Sequence, residues 1–138
     1  MKALSLKQPW AWAVVNGYMH LENRPRRTNY RGPLLIHASR VMDPDGFQFL
    51  WKLGLHRKLP SDLATGAIVG SVELIDCRIE PDNQWAFKGH WHWILAKPHE
   101  YRNPIECRGS LGIFDPDVSA GTIGGAERYA IHHRFRRD

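Results

Sequence analysis

The segment Arg24-Pro25-Arg26-Arg27-Thr28-Asn29-Tyr30-Arg31 carries four guanidinium groups around one tyrosine within eight residues. A guanidinium is a planar fork that matches two phosphate oxygens and also stacks on a base. Arginine with an interleaved aromatic therefore suits nucleic acid better than a run of lysines. The alternative is a solvated loop whose charges keep the chain soluble. A second basic cluster, His132-His133-Arg134-Phe135-Arg136-Arg137, is expected to be poorly ordered and to add only nonspecific attraction to phosphate. His37 sits in the apolar run Leu34-Leu35-Ile36-His37-Ala38, where an imidazole is either a satisfied core group or a general acid–base. In His90-Trp91-His92-Trp93 the imidazoles fall on one side of a strand and the indoles on the other. Two such histidines can begin a zinc site, but no third ligand follows at a recognisable spacing. They read as cross-strand packing with partly exposed imidazoles, and no metal is expected. Gly121-Thr122-Ile123-Gly124-Gly125 lacks the Lys-Ser/Thr of a phosphate loop and reads as a flexible turn. No Ser-His-Asp order or Gly-x-Ser-x-Gly is present. Cys107 beside Arg108 is a thiol whose pKa the cation can lower, with a lone buried cysteine as the alternative.

Some framework must hold these groups. The chain has 138 residues, 43% hydrophobic and 24% charged, which is enough for one domain over residues 1–138 with its own core. It has no apolar run long enough to span a membrane and no signal-peptide core in MKALSLKQPW. Cys77 and Cys107 build neither a disulfide framework nor a zinc spacing. Free thiols in the cytoplasm are the expectation. The net charge of +5 is unevenly spread. Residues 1–60 hold ten basic and three acidic side chains, whereas residues 61–138 hold nine basic and eleven acidic ones. A front half at +7 favours an anionic partner.

Ala3 to Leu6 reads as a short strand. Trp10 to Val15 reads as a short helix with Pro9 at its first position, closed by Asn16-Gly17. Tyr18 to Asn23 reads as extended, and Pro25 forbids a helix through Arg24. Strands follow at 34–38, 66–74, 90–95 and 109–114, with a helix from Pro44 to Leu53 and a bulge or close approach at Gly70. Strands outnumber helices and no long parallel βαβ unit appears. An α+β fold, a small mixed β-barrel with peripheral helices, fits this order.

Three stretches near the start, Leu4-Ser5-Leu6-Lys7-Gln8-Pro9-Trp10-Ala11, Gly17 to Arg24 and Arg27 to Ser39, resemble the ASCH domain family, whose fold is a PUA-like β-barrel. Gly66 to Gly70, His92 to Leu95 and Arg108 to Phe114 fit the family's closing strands, so the likeness runs in order through nearly the whole chain. The resemblance implies an RNA-related role, with RNA or a modified base held in a cleft. The family signature Gly-x-Lys-x-x-Glu-x-Arg is met by Gly17, Glu22 and Arg24, but Met19 stands where the lysine belongs. One bacterial branch resembles an amidohydrolase of acetylated cytidine that uses that lysine. Methionine is no nucleophile, acid or base, so that reaction does not carry over. Arg26 stands where a tryptophan is common, which adds charge and removes a stacking surface.

If 18–24 is extended, Glu22 and Arg24 share a face with Tyr18 and His20. A carboxylate can accept from a base's exocyclic amine and a guanidinium can take phosphate or a base edge. The alternative is a Glu22–Arg24 or Glu22–Lys7 ion pair that shapes the barrel mouth. The resemblance places Glu22 and Arg24 in the cleft. Lys7, Gln8 and Trp10 lie at a strand-to-helix junction where a helix start favours anions. Trp10 can stack on a base, while Trp12 reads as core. Arg27, Thr28, Tyr30 and Arg31 supply phosphate donors and one stacking surface. The expected partner is single-stranded RNA or a nucleotide, with DNA as a further candidate and no cofactor. The rival readings are a hydrolase of RNA or modified bases (a ribonuclease or amidohydrolase) using Glu22, His37 and Ser39, and an adaptor in transcription or translation.

Overall fold

A computed structural model describes residues 1–133; Arg134, Phe135, Arg136 and Arg137 of the basic C-terminal cluster lie outside the described residues. The strands are β1 (Lys2–Gln8), β2 (Leu21–Arg24), β3 (Gly32–Met42), β4 (Ala67–Arg78), β5 (Trp91–Glu106), β6 (Ile113–Phe114) and β7 (Ile131–His132). The helices are α1 (Trp10–Val15), α2 (Pro44–Lys52) and α3 (Ala120–Arg128), with a 3-10 turn at Leu55–Lys58. The strands form one mixed sheet in the order β2-β5-β4-β3-β1-β6, with β7 added to β5, and the sheet curls into a half-barrel. β1 and β3 run parallel, Ser5 opposite His37, and the remaining pairs are antiparallel. The α+β barrel expected from the element order is the fold observed.

Alternation along the strands sends side chains to two apolar clusters. Leu4, Leu6, Leu34, Ile36 and Leu74 meet Ala11, Trp12 and Val15 of α1 in the main core. Ala3, Leu35, Ile68 and Tyr101 meet Ile123 of α3 on the other side. Trp12 is core as expected, stacked on Tyr18 with ring centroids 5.2 Å apart. Gly70 is a close approach: a Cβ there would lie 2.1 Å from the His99 carbonyl oxygen and 2.8 Å from Val15 Cγ1.

Several expectations need correction. The span 17–20 is not extended. The amides of Tyr18 and Met19 both donate to the Ala13 carbonyl, wrapping the chain around the end of α1, and β2 begins only at Leu21. Tyr18 is therefore in the core and does not share the Glu22 face. Pro9 caps α1 instead of opening it. The strand at 90–95 runs on to Glu106, because a bulge opposite Ser71–Glu73 absorbs Lys97 (φ 50°) and Pro98. Only Ile113–Phe114 of the 109–114 strand forms. The glycine-rich 121–125 segment is helical, since Ser119 caps it by accepting from the Thr122 amide (3.1 Å) and Ile123 is buried. Tertiary burial outweighs the poor helix propensity of glycine there.

Candidate nucleic-acid cleft

Gln8 ends β1 with its side chain buried. Its Oε1 accepts from the Trp12 amide (2.9 Å) and its Nε2 donates to the Ala64 carbonyl (3.0 Å). The amide at the start of α1 is thus taken by the protein itself, and Gln8 fixes the junction; it lines a separate cleft with Trp12, Val15 and Ala64, not the one Lys7 and Trp10 line. Its neighbours emerge on either side: Lys7 is exposed and Trp10 half-buried. Trp10 Nε1 donates to Asp43 Oδ2 (2.8 Å), and Asp43 also caps α2 by accepting from the Asp45 amide. The Trp10 ring meets Phe87 edge-on, with centroids 6.0 Å apart.

β2 supplies the opposite wall. Strand alternation puts Glu22 and Arg24 on one face, where Arg24 Nε donates to Glu22 Oε2 (2.9 Å). Arg24 Nη2 donates to the Ser5 carbonyl (3.0 Å), tying β2 to β1. Between them, Asn23 Oδ1 accepts from the Phe87 amide (2.7 Å) and Asn23 Nδ2 donates to the Trp85 carbonyl (2.9 Å). One strand therefore presents a charged pair and also anchors the segment that carries Phe87. The result is a cleft of about 350 Å³ lined by Lys7, Trp10, Met19, Glu22, Arg24 and Phe87, with Ser5 and His90 among its other walls.

Burial pushes the Glu22 carboxyl above the ordinary carboxylate range, and Arg24 only partly offsets this. As a carboxylate Glu22 can accept from an amine, and as the acid it can hand over a proton. Met19, where the family has lysine, contributes an apolar side chain to this cleft and adds no cation to Lys7 and Arg24.

The densest basic segment is elsewhere. Arg27 lies over the Trp91 ring at 4.9 Å. Arg31 Nη1 donates to the carbonyls of Thr28 (2.9 Å) and Tyr30 (2.8 Å), Thr28 Oγ1 accepts from the Tyr30 amide, and the Tyr30 hydroxyl donates to the Pro33 carbonyl. This loop is tied down by bonds within itself and to the sheet, where Trp93 Nε1 donates to the Arg26 carbonyl (3.0 Å) and Arg31 pairs with Asp76 (3.8 Å); of residues 25–31 only Pro25, next to Arg24, lines the cleft. His37 and Ser39 line a second cleft, of about 710 Å³. There His37 bonds Ser5 Oγ through Nδ1 (2.6 Å) and the Cys107 carbonyl through Nε2 (2.7 Å), and Ser39 Oγ donates to the Val41 carbonyl. Glu22, His37 and Ser39 thus do not converge on one reacting point. His92 is buried and not partly exposed, accepting from the Glu80 amide (2.7 Å). Burial raises the half-buried Cys107 thiol, so Arg108 does not activate it. No group of three metal-ligating side chains assembles among the described residues.

Sequence reasoning passed over Phe87 and His90 as cleft residues. Nothing local marks Phe87; the amide side chain of Asn23, inside the signature, was the available signal.

The half-barrel with this edge cleft has the α+β architecture of small PUA-like barrels. Residues 4–107 match the model of the ASCH domain, and the chain belongs to that family. Over 137 residues it is 33% identical to activating signal cointegrator 1 of Mus musculus and 35% identical to that of Homo sapiens. Each match covers 88% of this chain and 24% of the relative, so the chain spans about a quarter of those proteins' length. No helix among the described residues is long and apolar enough to cross a membrane.

Proposed function

We propose that this ASCH domain binds single-stranded RNA by holding one base or modified nucleoside in the cleft between β1, α1 and β2. The observation that carries the reading is the convergence of Lys7, Trp10, Glu22 and Arg24, from three separate elements, on one cleft of about 350 Å³. That volume falls at the small end of the range for ligand sites. In it Arg24 and Lys7 meet phosphate or a base edge, Glu22 accepts from an exocyclic amine, and Trp10, Met19 and Phe87 give apolar contact to a ring face. The general association of ASCH domains with RNA supports the same assignment. Arg27, Thr28, Tyr30 and Arg31 then form an outer rim that attracts the strand without reading it. Gln8 positions the junction.

Fluorescence anisotropy with short labelled RNA and DNA oligonucleotides tests this. Binding at low salt that weakens steeply as salt rises is the expected result, because each neutralised phosphate releases counterions. No affinity for either polymer at low salt overturns it.

The raised Glu22 carboxyl favours a second reading, hydrolysis of the bound RNA or base with Glu22 as the general acid–base. Labelled RNA incubated with and without divalent metal separates the two readings. Cleavage that disappears in Glu22→Gln while binding persists establishes turnover, and intact RNA under both conditions leaves a binder.

A further inference from the structure

The second cleft touches the first at a single residue. Ser5 lines both: its carbonyl accepts from Arg24 Nη2 on the first side, and its hydroxyl bonds His37 Nδ1 on the second. The second cleft lies between β1, β3 and the segment 106–111, and is roomier at about 710 Å³. Its floor is held rigidly, because both His37 ring nitrogens are engaged. The 106–111 segment is pressed against that floor; a Cβ on Gly109 would lie 2.6 Å from Ser5 Oγ and 2.7 Å from His37 Cε1. Two exposed guanidinium groups, Arg40 and Arg108, stand on its walls against one carboxylate, Glu106. Neither arginine makes an ion pair among the described residues, whereas Arg24 and Arg78 both do. At the lip, Leu111 is 95% exposed, the most exposed of the large apolar side chains among the described residues.

We propose that this second cleft is an adjoining nucleotide subsite, in which Arg40 and Arg108 hold the phosphodiester and Leu111 covers the neighbouring base. The inference rests on the reading of the first cleft and deepens it: the ligand is a strand of at least two nucleotides crossing β1 at Ser5, not an isolated nucleoside. Unpaired guanidinium groups beside an exposed apolar side chain match the two faces of a nucleotide, its phosphate and its ring. Ser5, bonded to His37 on one side and to Arg24 on the other, gives both subsites a common wall, so the second contact forms at high effective concentration once the first is made.

The test is a length series, nucleoside monophosphate, dinucleotide and tetranucleotide in both ribo and deoxyribo forms. Each is titrated by NMR into the wild-type chain, Arg24→Ala, and the double variant Arg40→Ala/Arg108→Ala. Both arginines of the double variant are exposed, so the fold should persist, and its amide spectrum checks this directly. The expected result is an affinity gain of about tenfold or more from mononucleotide to tetranucleotide in the wild type. That gain disappears in the double variant, which still binds the mononucleotide normally, and its log–log salt slope for the tetranucleotide falls by about 0.7, the loss of one phosphate contact. Arg24→Ala weakens every length. Equal affinity at all lengths, or a double variant that matches wild type on the tetranucleotide, overturns the second subsite and leaves the first cleft standing. A wild-type chain that binds none of the ligands removes both. The ribo and deoxyribo arms decide whether the 2′-hydroxyl is read in either subsite.

Discussion

Two partly buried carboxylates of this molecule, Glu127 and Glu22, are treated in opposite ways. Glu127, on α3, accepts from the Tyr101 hydroxyl (2.8 Å) and pairs with His99 Nδ1 (3.0 Å), and Ser71 adds a further hydrogen bond. Burial acts to raise its pKa, but the hydrogen bonds outweigh it and the carboxyl is held below its ordinary range. Glu22 is met by Arg24 and by the Asn23 amide, and its carboxyl is raised because burial outweighs both. One carboxylate is held by three side chains that outweigh its burial. The other lies at the wall of a cleft, and its neighbours do not outweigh its burial. The first arrangement clamps a helix to a sheet, and the second is what a ligand or a proton can complete.

The largest effect should come from breaking the clamp. Glu127→Ala leaves Tyr101, His99 and Ser71 without their acceptor, and should cost about 2 kcal/mol in urea unfolding at neutral pH. Oligonucleotide affinity should be unchanged by it. A Glu127→Ala chain as stable as wild type would mean that the apolar contacts of Ile123 and Ala126 suffice to hold α3.

The second effect belongs to the cleft. Arg24→Ala should weaken binding of single-stranded RNA by about tenfold, or about 1.4 kcal/mol, as read by anisotropy at fixed salt. If Glu127→Ala weakened binding as much, the division between clamp and cleft would collapse.

The two carboxyls should also show opposite pH dependence. The folded-state pKa of Glu22 lies above its unfolded value, so the native state favours the protonated form and loses that advantage as pH rises through the folded value. Glu22→Gln should therefore match or exceed wild-type stability at neutral pH, by about 1 kcal/mol or less, and the difference should shrink on acidification. The folded pKa of Glu127 is depressed, so its stabilisation is present above the unfolded carboxylate range and fades as pH falls through the folded value. Unfolding midpoints of the wild type and both variants between pH 3 and 7, on the carboxylate range, check both signs at once.

The smallest effect is a sharpening one. Met19→Lys restores the family's cation to the cleft and should move the Glu22 titration downward, as followed by side-chain carboxyl NMR. A Glu22 titration that stays put would place the new ammonium outside the cleft.

Much of the frame was legible because it rests on local rules. The helix at Trp10–Val15, the strand around Leu34–Ala38 and the close approach at Gly70 follow from periodicity, punctuation by Pro and Gly, and apolar content. The pairing of Glu22 with Arg24 follows from alternation once β2 is extended. Two of the errors come from contacts between residues distant in sequence. α3 forms on a glycine-rich segment because Ile123 reaches Ala3, Leu35 and Ile68. β5 passes Pro98 because a bulge opposite Ser71–Glu73 of β4 takes it up. The turn at 17–20 has a local cause, the bonds of Tyr18 and Met19 to the Ala13 carbonyl.

The amino-acid sequence by itself determined the family, the α+β class, and the basic front half, since each depends on residue types, order and short-range spacing. Only the tertiary structure decided which of those charges share a cleft. The eight-residue arginine cluster is the densest charge in the sequence, yet most of its loop is bonded to itself and to the sheet outside the cleft. Arg24, at its edge, was drawn into a site with Lys7, Trp10 and Phe87, the last of these 63 residues away and held there by the Asn23 side chain. Charge density can be counted along a chain, but a cleft is made by pairing strands, and that pairing also set Arg40 and Arg108 on the other side of Ser5.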